Sequence, residues 1–222
     1  MKVFMSDLHI GSPLFKSYDL VLGLYNDPKV EEIYILGDLF DTWEKNAFSS
    51  VRKSRYLIDV INNSGKTKVV IKGNHDPNLW IMKEILKDVY VTLSHSIYLF
   101  DKKTLLIHGD EFDRLIDVSK IWFPIHYTLQ RVGLNIKATA RNAYHYISRI
   151  KKRQPYNSIV FRTEEKIVDY YGPEYDIIIS GHTHMPKLIQ LSNCFYVNCG
   201  SLVYKPTYVV VDKNTIDIKG DW

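Results

Sequence analysis

Five short polar motifs combine aspartate, histidine and asparagine, side chains that bind divalent metal ions through oxygen and nitrogen. The motifs are Asp7-Leu8-His9, Gly37-Asp38-Leu39-Phe40-Asp41, Gly73-Asn74-His75-Asp76, His108-Gly109-Asp110 and Gly181-His182-Thr183-His184. Structural metal sites are more often tetrahedral and rich in cysteine, which these motifs lack. Two adjacent ions held by such a mixed set typically catalyse hydrolysis. The motifs therefore predict a metal-dependent hydrolase.

Asp38 is the best candidate for an anion that bridges two metal ions. Two divalent ions about 3.5–4 Å apart repel each other, so a stable pair needs such a bridge. Asp7 and His9 suit one ion, because alternate residues that leave a strand can both turn toward one point. His182 and His184 have the same spacing and could divide between the two ions.

Asn74 and His108 complete the predicted ligand set with an amide oxygen and an imidazole nitrogen. Mixed oxygen and nitrogen ligands indicate manganese, iron or zinc, and the sequence does not choose among them. The two ions together would carry four positive charges, of which Asp7, Asp38 and a bridging hydroxide would neutralise three. The remaining positive charge suits an anionic phosphate monoester or diester as the substrate.

Apolar runs that are typical of buried strands immediately precede most of the motifs. They are Lys2–Met5, Ile33–Leu36, Val69–Ile71, Leu105–Ile107 and Ile177–Ile179. Side chains that follow the ends of several strands can converge on one rim of a sheet, where open α/β sheets place their sites. We therefore expect the five motifs to meet in space.

Helical and strand-like segments alternate in the first half of the chain, which favours an α/β fold with a mostly parallel sheet. Helices are predicted over Ser17–Tyr25, Ser50–Asn63, Asn78–Leu86 and Ser158–Tyr171. Further strands are predicted over Tyr90–Thr92, Ser96–Phe100, Thr104–His108, Lys187–Leu191, Phe195–Asn198, Thr207–Val211 and Thr215–Lys219. Asp101-Lys102-Lys103 is the predicted turn between two of them. These elements suggest a central sandwich.

In their order and spacing, the five motifs resemble the signature of the calcineurin-like metallophosphoesterase superfamily. The resemblance implies a β-sandwich flanked by helices and a site with two metal ions, with manganese as the first choice. It implies one ligand set for each ion. The first ion would bind Asp7, His9, Asp38 and His184, and the second Asp38, Asn74, His108 and His182.

The same resemblance gives His75 and Asp41 catalytic roles. His75 matches a histidine that binds no metal and that protonates the leaving oxygen or stabilises the phosphoryl charge. Asp41 matches its carboxylate partner, which would keep the imidazole protonated and oriented. A hydroxide shared by the metals would attack phosphorus in line. A hypothesis from another class is a catalytically inactive, metal-bound binding protein.

Residues 112 to about 172 are predicted to form a helical insert, or cap, between the fourth and fifth motifs of a single domain over 1–222. Between Arg114 and Arg153 this insert contains nine basic residues and one acid, Asp117. We expect some of its side chains to bind substrate, namely Lys137, Arg141, Tyr144 and Arg149. A solvated basic face is the competing interpretation.

Two substrate classes fit this cap. The motifs, the insert and the tail Tyr196–Ser201 resemble the UDP-2,3-diacylglucosamine pyrophosphatase branch of the superfamily, which implies a nucleotide-diphosphate lipid as substrate. Well-known members of that branch often have arginine where this chain has His75, whereas the broader superfamily has histidine. Nucleotide or nucleic-acid diesters are therefore the second class, with tyrosines to stack bases.

Composition sets the expected environment. The chain has 222 residues and is 45% hydrophobic, enough for a full core. No segment has the roughly 18 apolar residues that span a bilayer, and no signal peptide is visible. Two cysteines are too few for a disulfide framework. We expect a cytoplasmic protein, with peripheral contact to a membrane left open and no expectation for its oligomeric state.

Overall fold

A computed structural model of the chain describes residues 1–42, 51–52, 54–112, 156–191, 193–203 and 205–220. Met1–Gly109 and Val168–Trp222 belong to one compact unit, and Asp110–Ile167 to a second. Residues 113–155 of the predicted cap, with all four of its substrate-binding candidates, lie outside the described residues. The prediction of a single domain with an insert therefore stays a prediction.

The described strands form two sheets. The first sheet has the order β11-β10-β1-β2-β3-β4 and the second β5-β6-β7-β9-β8. The strands are β1 (Lys2–Met5), β2 (Glu32–Leu36), β3 (Thr67–Ile71), β4 (Tyr90–Thr92), β5 (Ser94–Leu99), β6 (Lys102–Ile107), β7 (Ile177–Ser180), β8 (Lys187–Leu191), β9 (Cys194–Asn198), β10 (Thr207–Asp212) and β11 (Thr215–Gly220). All eleven coincide with predicted strands, to within three residues at each end.

Four α-helices are described, and each corresponds to a predicted helix. They are α1 (Tyr18–Asn26), α2 (Arg55–Asn63), α3 (Leu79–Ile85) and α4 (Tyr156–Tyr171). A short 3-10 helix also covers Asp110–Phe112. The predicted start of the second helix, Ser50, lies among the undescribed residues 43–50. Among the described residues, no helix is long and apolar enough to cross a membrane.

Two hydrophobic cores account for this layering. Val3, Ile33 and Val70 point from the first sheet toward α1, α2 and α3. Phe4 and Val69 point the other way, into a core shared by the two sheets. Because side chains alternate along a strand, neighbouring residues of one strand supply both cores. The α/β sandwich predicted from the sequence is confirmed.

Strand direction decides where the motifs meet. β1, β2, β3 and β4 are parallel, as are β6, β7 and β9, so their carboxyl ends meet at one edge of each sheet. Asp7 N donates to Gly37 O at 3.1 Å, and Gly181 N donates to His108 O at 3.2 Å. These bonds join the motifs of neighbouring strands in pairs.

The hairpin between β5 and β6 differs from its prediction. The predicted turn at Asp101-Lys102-Lys103 is wrong, because β6 already begins at Lys102. The turn lies at Phe100 and Asp101, which have φ values of 52° and 61°. Two-residue hairpin turns of this kind usually carry asparagine or glycine, so the sequence gives no signal for this position.

Candidate metal centre

The carboxylate of Asp38 faces two different histidines. Its Oδ2 lies 3.8 Å from His9 Nε2, and its Oδ1 lies 3.4 Å from His108 Nε2. Asp38 is almost fully buried, with 2% of its surface exposed. One oxygen of Asp38 thus faces the first motif and the other faces the fourth. A ligand that bridges two metal ions requires this geometry.

On the first-motif side, Asp7, His9 and His184 converge. Asp7 Oδ1 lies 2.9 Å from His184 Nε2 and 3.8 Å from His9 Nε2, and the two histidine nitrogens are 3.5 Å apart. Asp7 Oδ1 is buried and, in the part of the chain described, receives no hydrogen bond of normal geometry, although His184 is so close. Buried oxygens without a partner are rare, and a cation at this point would satisfy it. The three side chains fit a divalent ion.

On the fourth-motif side, His108 is oriented by the backbone. Its Nδ1 contacts Leu36 O at 2.8 Å, and since a carbonyl can only accept, the ring donates there. Nε2 then faces Asp38 and Asn74 Oδ1, which is 3.2 Å away. Fixing one nitrogen in this way is how proteins prepare a histidine for a metal. The ring of His182 is adjacent, 5.1 Å between centroids.

All seven predicted metal ligands are therefore brought together, and the described side chains form overlapping groups of donors. Asp7, His9 and His184 are one group, Asp7, Asp38 and His108 another, each with ligand atoms within 4.8 Å of one another. A third group consists of His9, Asp38 and His75. Two carboxylates, one amide and four imidazoles match the ligand preferences of manganese, iron or zinc.

Five of these ligands have unusual backbone conformations. Nine non-glycine residues in the described ranges have positive φ, and five of them are Asp7, His9, Asp38, His182 and His184, at 50–67°. Non-glycine residues adopt this region rarely, and it costs free energy that the surrounding structure must supply. Such residues cluster at functional sites, which is where this chain concentrates them.

The electrostatics follow from burial and proximity. Burial would raise the pKa of Asp7, but the neighbouring histidines, His184 foremost, together lower it to about 2. Burial would also raise the pKa of Asp38, but His108 and the other histidines around it together hold that pKa well below its ordinary value. Burial lowers the pKa of His9, whereas for His184 the charges of Asp7 and Asp38 together exceed the effect of burial and raise the pKa. The two aspartates are thus charged at neutral pH and can bind cations.

His75 lies at the margin of the cluster, beside Asp41. His75 Nδ1 is 3.3 Å from Asp41 Oδ1, and 21% of the His75 side chain is exposed. Its ring stands edge-on to His9, 4.6 Å between centroids. The backbone of His75 is fixed as well, since its N–H donates to Asp38 Oδ1 at 2.8 Å. A group bound at the metal centre would meet the exposed part of this ring.

Asp76 and Asn198 support the site without joining it. Asp76 is the last residue of the third motif. In the structure its carboxylate accepts from Phe40 N at 2.8 Å and Gly73 N at 2.9 Å, which ties the second and third motifs together. Burial and then the charge of Asp38 raise its pKa to about 7.

Asn198 was not predicted to belong to the site. Its place in the tail segment Tyr196–Ser201 is the only feature of the sequence that points to it.

The site and the two-sheet fold together define a metallophosphoesterase. The sequence model of the calcineurin-like phosphoesterase family matches residues 3–186. The chain belongs to this family and is a metal-dependent phosphoesterase. The family resemblance seen in the motifs is thereby confirmed.

Two similar curated proteins have the same name. The chain is 27% identical over 217 residues to a UDP-2,3-diacylglucosamine hydrolase of Wigglesworthia glossinidia brevipalpis, covering 87% of this chain and 83% of that protein. It is 28% identical over 205 residues to a UDP-2,3-diacylglucosamine hydrolase of Haemophilus influenzae, covering 84% of each. The similarity thus extends over most of both chains.

Solved structures share the fold at lower sequence identity. Vps29 of Entamoeba histolytica, solved as a single mutant, superposes with a TM-score of 0.54 at 12% identity, covering 100% of this chain and 98% of that one. The phosphoesterase Yfce of E. coli superposes with a TM-score of 0.52 at 16% identity, covering 97% and 90%. These likenesses concern the fold.

Proposed function

We propose that this protein is a two-metal hydrolase that cleaves a phosphoester or pyrophosphate bond. The observation that carries the proposal is Asp38, whose two oxygens face His9 and His108 from the middle of the seven predicted ligands. Asp7, His9, Asp38 and His184 would hold one ion, and Asp38, Asn74, His108 and His182 the other. When bound, such a pair supplies Lewis acidity and a water activated for attack on phosphorus.

His75 would act on the opposite side of the reacting phosphorus as the proton donor to the leaving oxygen. Its ring is partly exposed, and a carboxylate oxygen of Asp41 lies 3.3 Å from its Nδ1. A carboxylate in this position orients the imidazole, as a general acid requires.

For the substrate, we propose a nucleotide-diphosphate lipid like UDP-2,3-diacylglucosamine, cleaved at its pyrophosphate. The support is the shared name of relatives that are 25–28% identical over most of the chain. Manganese is the proposed metal and the cytoplasm the proposed location, with the enzyme working at a membrane surface where such a lipid would lie. Lys137, Arg141, Tyr144 and Arg149 are the proposed substrate contacts.

A phosphodiesterase or nuclease acting on nucleotides or nucleic acid is the alternative. The observation in its favour is the His75–Asp41 pair, since the lipid branch often has arginine at the position of His75. A catalytically inactive, metal-bound binding protein would be a third outcome, in which no tested substrate turns over.

The deciding experiment compares manganese-dependent hydrolysis of UDP-2,3-diacylglucosamine, single-stranded DNA and an aryl phosphodiester, with Asp38→Ala as the control for contaminating activity. Preference for the lipid supports the proposal. Hydrolysis of the diesters without turnover of the lipid would replace it with the alternative. No turnover of any substrate by protein with two bound manganese ions would favour the binding protein.

A further inference from the structure

The two histidines of the fifth motif belong to a strained turn. Thr183 N donates to Gly181 O at 2.8 Å, and His182 between them has a φ of 67°. A bond from residue i+2 to residue i around a positive φ is the rare, strained form of the γ-turn. His184 follows with a φ of 58°. Such a conformation persists only where neighbouring groups fix it.

Asn198, the last residue of β9, supplies that restraint. Its Nδ2 donates to Gly181 O at 2.7 Å and to Thr183 Oγ1 at 3.1 Å, and its Oδ1 accepts from Gly200 N at 2.9 Å. Longer contacts join Nδ2 to Ser180 Oγ at 3.2 Å and to Tyr196 Oη at 3.3 Å. The residue is fully buried. One amide thus binds the turn immediately before His182 and again between His182 and His184.

The turn also orients Asp7. His182 N donates to Asp7 Oδ2 at 3.0 Å, which leaves Oδ1 facing His184 Nε2 at 2.9 Å. The segment after Asn198 holds the backbone of Asp7 too, since Ser201 Oγ contacts Asp7 O at 3.3 Å. Three candidate ligands therefore depend on one turn, and the turn depends on the amide of Asn198.

We propose that Asn198 is a positioning residue that sets the metal affinity of the site through the Gly181–Thr183 turn. It lies beyond residues 3–186, which the family model matches. This inference rests on the proposed metal-binding role of Asp7, His182 and His184. An amide suits this position because its NH2 group donates to Gly181 O and Thr183 Oγ1 while its oxygen accepts from Gly200 N. Aspartate has the same shape but no donor.

The test measures manganese binding by isothermal titration calorimetry, together with the stability of the metal-free protein. Asn198→Ala, Asn198→Asp and Thr183→Val should each weaken manganese binding about 10–100-fold, the usual cost of losing a group that orients ligands. Thr183→Ser keeps the hydroxyl and should retain wild-type affinity. Tyr196→Phe removes a hydroxyl that contacts Ser180 Oγ at 2.6 Å and Asn198 Nδ2 at 3.3 Å, but it keeps both hydrogen bonds from Asn198 to the turn. It should lower stability without changing affinity.

Wild-type manganese affinity in folded Asn198→Ala would overturn the inference and leave the proposed function standing. Equal affinity of Thr183→Val and Thr183→Ser would also overturn it, and this pair decides if Asn198→Ala does not fold. If Tyr196→Phe weakens manganese binding as much as Asn198→Ala does, the hydrogen bonds around Asn198 affect metal affinity only through the stability of the protein, and the inference is wrong. Failure of the wild-type protein to bind manganese would reject the proposed function together with it.

Discussion

Asp41 places a carboxylate oxygen 3.3 Å from Nδ1 of His75, beside a cluster of predicted metal ligands. If this pair is a general acid and its orienting group, His75→Ala should slow turnover by roughly 10²–10⁴, the usual contribution of such an acid. Manganese content should stay at the wild-type level. Turnover and metal content, measured on the same preparation, check this. His75 also lies close enough to His9 and Asp38 to bind a metal ion with them. Loss of a metal ion from His75→Ala would therefore show that His75 is a metal ligand and not the general acid.

Asp41→Asn should lower kcat less than His75→Ala does, since the ring remains but loses the carboxylate that orients it. The loss should depend on the leaving group. An aryl phosphodiester with an acidic phenol needs little protonation, so both variants should lose less activity on it than on an alkyl diester. Equal losses on the two substrates would contradict a proton-donating role.

Asp38→Ala should abolish metal pairing and nearly all activity. The carboxylate faces His9 through one oxygen and His108 through the other, and without it two cations would repel each other with no anion between them. We expect the manganese stoichiometry to fall from two to at most one per chain, measured by mass spectrometry of the metal. Retained metal-dependent turnover in this variant would refute the assignment of the site.

The local pattern of apolar residues in the sequence was enough to predict most strands and helices of the fold. Apolar runs such as Ile33–Leu36 and Ile177–Ile179 are strands in the structure because they are buried on both faces. The polar motifs could be placed because each follows such a run. The strand ends predicted that His108 and Asp38 would meet, but not that their strands belong to different sheets.

The remainder depends on contacts that sequence spacing does not reveal. Asn198 bonds to Gly181 across 17 positions, and nothing around it distinguishes it from any polar residue at a strand end. The β5–β6 turn has Phe100 and Asp101 at positive φ without the residues that normally signal one. Long-range packing selects both features.

Gly37→Ala should damage the metal centre although Gly37 is not itself a candidate ligand. Gly37 has a φ of 88°, and a Cβ on it would lie 2.2 Å from Nδ1 of His108. The ring would have to move from Leu36 O, so we expect a loss of about 1–3 kcal/mol in unfolding free energy and weaker manganese binding. Gly23→Ala is the matched control. Gly23 lies in α1 with nothing near its Cβ position, and alanine there should stabilise by about 0.5–1 kcal/mol. Urea unfolding and manganese titration of both variants check this, and normal manganese affinity in Gly37→Ala would contradict it.

The raised pKa of Asp76 predicts how the stability of the metal-free protein depends on pH. Burial, and next the charge of Asp38, raise this pKa from 3.8 to about 7. Between these values the folded state binds a proton that the unfolded state has released. The stabilisation is therefore complete below about pH 4 and is lost as the pH rises through 7. The lowered pKa of Asp7, about 2, acts in the opposite direction but only below about pH 4.

Asp76→Asn should therefore reduce the decline in unfolding free energy between pH 4.5 and 8. Some decline should persist, because the raised pKa of His184 makes that residue lose its stabilising charge over the upper part of this range. Asp217→Asn, at a carboxylate whose side chain is 52% exposed, is the control and should keep the wild-type slope. Bound manganese should reduce the pH dependence of the wild-type unfolding free energy, because cations beside Asp38 offset the negative charge that opposes ionisation of Asp76. Urea unfolding in chelator and in manganese, at several pH values, measures all of this. An unchanged slope in metal-free Asp76→Asn would show that Asp76 is already ionised at pH 4.5 and that other groups cause the decline.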